Sequence, residues 1–92
     1  MTQLQSDRRF VKVELFVKLI SGVSLEFFEK FDSPVNKQTA ESRYSDFLNW
    51  YADPKRRDSY YLTYTYSTGE EEEYHIRKES ISYIKLKFHV TK

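Results

Sequence analysis

His75 and His89, with Glu71 and Glu73 close to the first of them along the chain, are residue types that hold zinc. Strand alternation allows the two imidazoles to be neighbours on an outer face. Yet no ligand pair stands at close or helical spacing, and nothing fixes the two histidines in register. No metal site is expected. The run Glu70-Glu71-Glu72-Glu73 is the other concentration of chemistry-bearing groups. Paired carboxylates cleave glycosidic bonds when they oppose one another in a cleft with different pKa values. In a strand, alternate glutamates project to opposite faces instead. The outer ones are expected to pair across strands with Lys85 and Lys87, for a fraction of a kcal/mol each. The chain has no nucleophile elbow, no cysteine, and only two glycines from which to build a phosphate-cradling loop. It is therefore expected to be no enzyme and to need no cofactor.

Basic residues beside aromatic ones offer a different chemistry. Outward rings on a sheet stack bases while lysines follow the phosphates. Tyr61, Tyr83, Lys85 and Lys87, with the Lys55-Arg56-Arg57 loop, are the candidates for nucleic-acid binding. The stretch Tyr74-His75-Ile76-Arg77-Lys78 leading to Ile81-Ser82-Tyr83-Ile84 resembles the last strand pair of small RNA-binding barrels of the Sm type. It lacks the glycine and asparagine of those proteins, so the resemblance transfers no residue roles.

The third surface is apolar. Phe10, Phe16, Ile20 and Phe28 are expected on the far face of the first hairpin, with the Phe16 and Phe28 rings diagonal and close enough to touch. An apolar patch on an antiparallel sheet marks a partner, a second copy, or a sheet that curls to hide it. The leading expectation is a non-enzymatic protein-binding module acting through a sheet face or edge. Its partner is an unidentified protein or a second copy, and nucleic acid is the alternative. Small, tyrosine-rich domains without cysteine or catalytic motif share this general character with accessory and inhibitor proteins of phages and mobile elements.

These residues need elements to position them. From Phe10 the chain alternates, with Val11, Val13, Leu15, Val17 and Leu19 on one side and Lys12, Glu14 and Lys18 on the other. A three-residue loop, Ile20-Ser21-Gly22, with Gly22 left-handed sets Val17 opposite Leu25 and Leu15 opposite Phe27. A two-residue turn would invert one apolar face. Val35, Ala40, Tyr44, Phe47, Leu48 and Tyr51 predict a single helix over about 34–52, begun by Ser33-Pro34 with Asn36 as the rival cap and ended at Asp53-Pro54. Trp50 is expected to anchor that helix on the sheet, half-buried, with its N–H on water or a carbonyl. Tyr60 to Tyr66 predicts the third strand. A loop at Thr68-Gly69-Glu70 sets Tyr64 opposite Tyr74 and Leu62 opposite Ile76. Lys78-Glu79-Ser80 interrupts the pattern, and Ile84, Leu86, Phe88 and Val90 form the inward face of the last strand. The prediction is one α+β domain spanning 1–92, a twisted antiparallel sheet of about five strands ordered β-β-α-β-β-β on one helix, with residues 1–8 flexible.

Bulk properties agree with that size and class. Ninety-two residues suffice for one core. Fifteen basic and fourteen acidic residues give +1, so the charge exerts no global pull toward nucleic acid. Absence of cysteine suits a reducing cytoplasm, and no apolar run reaches the length of a membrane span. Eight Tyr, seven Phe and one Trp are an unusual share; a domain this small is expected to fill its core with rings and to turn some of them outward.

Overall fold

The computed structural model describes residues 8–91. The chain is a small α+β domain with the expected antiparallel β-β-α-β-β-β order. Its elements are β1 (Phe10–Leu19), β2 (Ser24–Val35), α1 (Lys37–Ser42), α2 (Ser45–Ala52), β3 (Ser59–Thr65), β4 (Glu71–Arg77) and β5 (Ile81–Val90). The expectation of a flexible segment at 1–8 lies outside the described residues, except for Arg8, whose guanidinium sits over the Phe10 ring.

The five strands divide into two sheets, β2-β1-β5 and β3-β4. A 3-10 turn at Lys78–Ser80 separates β4 from β5, and β5 then pairs with β1 instead of with β4. β1 is thus the central strand of its sheet. Its inward Val13, Leu15 and Val17 are fully buried. Leu15 and Val17 meet Leu62 and Ile76 of the two-stranded sheet, together with Phe27, Ile81 and the helical Phe47 and Trp50, in one core. Burying each such aliphatic side chain contributes about 1.5–3 kcal/mol.

The first hairpin has the predicted register, Val17 opposite Leu25 and Leu15 opposite Phe27. The Leu19 N–H donates to Val23 O at 2.8 Å, and Gly22 takes φ +100° at the third loop position. The second hairpin closes in the same way, around Ser67-Thr68-Gly69, with Gly69 at φ +95° and the Tyr66 N–H donating to Glu70 O. Its register therefore differs by two residues from the predicted one: Leu62 faces Tyr74, and Tyr60 faces Ile76. The shift is even, so the apolar faces stay together.

The predicted single helix is two helices, and both begin later than Ser33. Ser33 and Pro34 belong to β2, where proline lacks a ladder donor but sits toward the end of an edge strand. Asn36 is the cap, its side-chain oxygen accepting from the Thr39 N–H at 2.8 Å. The five-residue step from Val35 to Ala40 marks that change from strand to helix. Between the helices, the Ser42 hydroxyl donates to Thr39 O and the Ser45 hydroxyl to Ser42 O, which offers the backbone an alternative to continuous helix.

An irregularity at Val11 reverses the alternation at the start of β1. Phe10 pairs with Val90 and Lys12 with His89, leaving Val11 as the extra residue. Phe10 therefore turns inward and is buried against Phe88, with ring centroids 5.6 Å apart, while Val11 is exposed. Phe10 does not belong to the far face where alternation alone puts it.

Candidate functional site

Both helices and the two-stranded sheet lie on the inner side of β2-β1-β5, so among the described residues no element covers its other face. The register lays that face out as a grid. Ser24, Lys18 and Tyr83 form one row, then Glu26, Phe16 and Lys85, then Phe28, Glu14 and Lys87, and last Lys30, Lys12 and His89. Tyr83, Phe16 and Phe28 thus run diagonally across three strands. The apolar candidates Phe16 and Phe28 and the basic candidates Tyr83, Lys85 and Lys87 occupy one surface, because β5 pairs with β1.

Lysines cover the rings. Lys85 Nζ lies 4.6 Å from the Phe16 centroid, and Lys12 and Lys30 lie 5.4 and 6.0 Å from that of Phe28. The expected contact between Phe16 and Phe28 is replaced by these cations, and Phe28 packs on Tyr64 instead, at 5.9 Å. In the middle of the grid, the His89 Nε2 donates to Glu14 Oε1 at 2.6 Å. That hydrogen bond, aided by Lys12 and Lys87, holds the Glu14 carboxyl below its usual range.

The remaining sequence candidates lie elsewhere. Ile20 is 70% exposed at the tip of the first hairpin. Tyr61 stacks on His75 at 4.1 Å in the two-stranded sheet, apart from Tyr83. In the loop before β3, Arg56 reaches Asp46 at 3.9 Å and the Arg57 guanidinium lies over Tyr60, while Lys55 is exposed at the surface. The nucleic-acid candidates therefore do not make one continuous surface. His75 pairs with Glu73 and His89 with Glu14, on different sheets. Glu71, Glu72 and Glu73 face Thr65, Tyr64 and Thr63 of β3 rather than Lys85 and Lys87, since β4 and β5 share no ladder. Glu72 accepts from both the Tyr66 and Tyr74 hydroxyls, at 2.8 and 2.7 Å. These bonds lower the Glu72 carboxyl and push the Tyr66 phenol up to about 12.

Among the described residues β2 pairs only with β1, and β3 only with β4, so each has an unpaired edge. Between them lies a cleft of about 790 Å³ with Phe28, Tyr44, Tyr60, Tyr64 and Tyr66 among its lining residues. Phe27 and Phe47 close it on the core side. The Tyr60 hydroxyl donates to Asp46 at 2.7 Å, and burial together with that bond pushes the phenol up to about 12. Glu29 and Arg43 pair at 3.2 Å along the rim. The wall is aromatic, and Glu29, Arg43 and Asp46 on its rim are partnered, while Lys30 lies over the Phe28 ring. Only long-range strand pairing reveals such a cleft, so sequence pattern carries no direct signal for it.

No protein-family model, curated protein or solved structure matches this chain. Among the described residues no helix is long and apolar enough to cross a membrane.

Proposed function

We propose that the protein is a non-enzymatic protein-binding module whose site is the free edge of β2 and the aromatic cleft beside it. The observation that carries this reading is the pair of unladdered strand edges flanking a cleft walled by rings. An extended segment of a partner can hydrogen-bond to an exposed edge while alternate side chains enter flanking pockets. Tyrosine and phenylalanine are suited to such walls, since they bury much apolar area with little side-chain entropy to lose. Glu29, Lys30 and Pro34 along β2 discourage indiscriminate pairing between copies. The role of an accessory or inhibitor protein, as in phages and mobile elements, fits a module of this kind.

The test is capture from nuclease-treated lysate by the tagged protein, repeated with Phe28→Ala combined with Tyr66→Ala. The partner is expected to be lost while the melting temperature moves by only a few degrees. Backbone amides of β2 and β3 are expected to exchange more slowly in the complex. Retention of the partner by the double variant, or protection confined to other strands, would overturn the reading.

A further inference from the structure

We propose that the open face of the three-stranded sheet binds single-stranded nucleic acid, with Tyr83, Phe16 and Phe28 as stacking positions and the surrounding lysines as phosphate contacts. This surface is distinct from the β2–β3 cleft, and of its residues Phe28 and Lys30 border both. Three observations converge on it.

The first is charge. Within the four rows of the grid, Lys12, Lys18, Lys30, Lys85 and Lys87 stand with two carboxylates, Glu14 and Glu26. The face is thus more positive than the whole chain, whose net charge is +1. Glu14 stands opposite Phe28 and is hydrogen-bonded to His89, and Glu26 stands opposite Phe16.

The second is the nature of the rings. Phe16 carries an ammonium group over its face at 4.6 Å, and Phe28 is flanked by two. A base arriving on either ring displaces a lysine toward its own phosphate, so stacking and charge pairing exchange one favourable contact for two. Tyr83 is 52% exposed and has no ring partner among the described residues.

The third is spacing. Diagonal neighbours on a sheet stand about 7–8 Å apart. That is roughly twice the 3.4 Å per nucleotide of a duplex strand, so the diagonal fits splayed, unpaired bases. A sheet presenting rings in this way recognises single strands, because unstacked bases have free faces.

Fluorescence anisotropy of a labelled oligothymidylate of about 12 nucleotides tests the proposal, with full-length protein at about 50 and 200 mM salt. Contact with three or four phosphates weakens binding roughly 20- to 50-fold over that range. Lys85→Gln with Lys87→Gln is expected to lower affinity and flatten the salt slope. Tyr83→Ala is expected to cost about tenfold with the slope unchanged. Neither variant touches the cleft, so both retain a protein partner captured there. Failure to bind at low salt, equal affinity for a duplex of the same sequence, or wild-type binding by the double lysine variant would overturn it. So would equal binding of poly-glutamate that ignores Tyr83→Ala, since the face would then be a cation patch for acidic protein.

Discussion

The indole N–H of Trp50 donates to the carbonyl oxygen of Arg57 at 2.7 Å, tying α2 to the chain that leads into β3. Trp50 is completely buried, deeper than a half-covered anchor, and packs on Phe47 and Tyr60 with Lys78 Nζ over its ring. That Nζ also donates to Asp53 O at 2.7 Å. One indole thus organises the helix end, the connection and the turn before β5.

Trp50→Phe removes the donor, orphans the Arg57 carbonyl and leaves a void. The expected loss is about 2–3 kcal/mol of stability. For a domain of this size that is a fall in melting temperature of about 10 to 20 °C, read by circular dichroism. A variant melting within a degree or two of the parent would show that the contact contributes little.

Both hairpins place glycine last in a three-residue loop, at φ +100° for Gly22 and +95° for Gly69, and an added Cβ would meet no atom within 4 Å at either. The cost of alanine there comes from backbone conformation alone, about 1–2 kcal/mol at each site. Asparagine, which tolerates left-handed backbone better, is expected to recover part of it. Urea denaturation of the four single variants measures this. Equal stability of alanine and glycine forms would contradict left-handed loops.

The bond between Glu14 and His89 gives a pH prediction with a definite sign. A carboxyl held below its ordinary pKa of 4.5 favours the folded state when ionised. Its contribution is present above the unfolded pKa and is lost as pH falls through the lower folded value. Glu14→Gln is therefore expected to reduce stability at neutral pH and to match the parent once the carboxylates are protonated. Urea midpoints across that acid range should converge. A constant gap at all pH values would mean that the charge is irrelevant.

The elements were legible in the sequence where local pattern and backbone chemistry agree. Gly22 at the end of its loop, with Val17 and Leu25 on matching parity, determines the first register. Gly69 belongs in the same last position, and placing it mid-loop is what displaces the second register by two. Proline at 34 satisfies a strand end as well as a helix start, and only the five-residue gap between Val35 and Ala40 separates the two. The extra residue at Val11 leaves no mark on composition, so the inward turn of Phe10 is invisible until β5 is seen alongside. The same pairing decides the candidate surface. Phe16 and Phe28, like Tyr83, Lys85 and Lys87, are identifiable as outward by alternation, but nothing local says that the two groups share a face. Strand partnership is a long-range property, and short links reveal sequence neighbours rather than ladder neighbours.

The placement of β5 against β1 also sets an order of events on the ribosome. β1 is made before every other element, yet one of its two ladders waits for Ile81–Val90. Until those residues emerge, Val13, Leu15 and Val17 sit in a strand with one bare flank. Closing that ladder spans most of the chain, the kind of non-local pairing that slows folding toward milliseconds to seconds. A nascent chain stalled after Ser80 presents an apolar strand edge, and with it the hazard of pairing with another nascent copy.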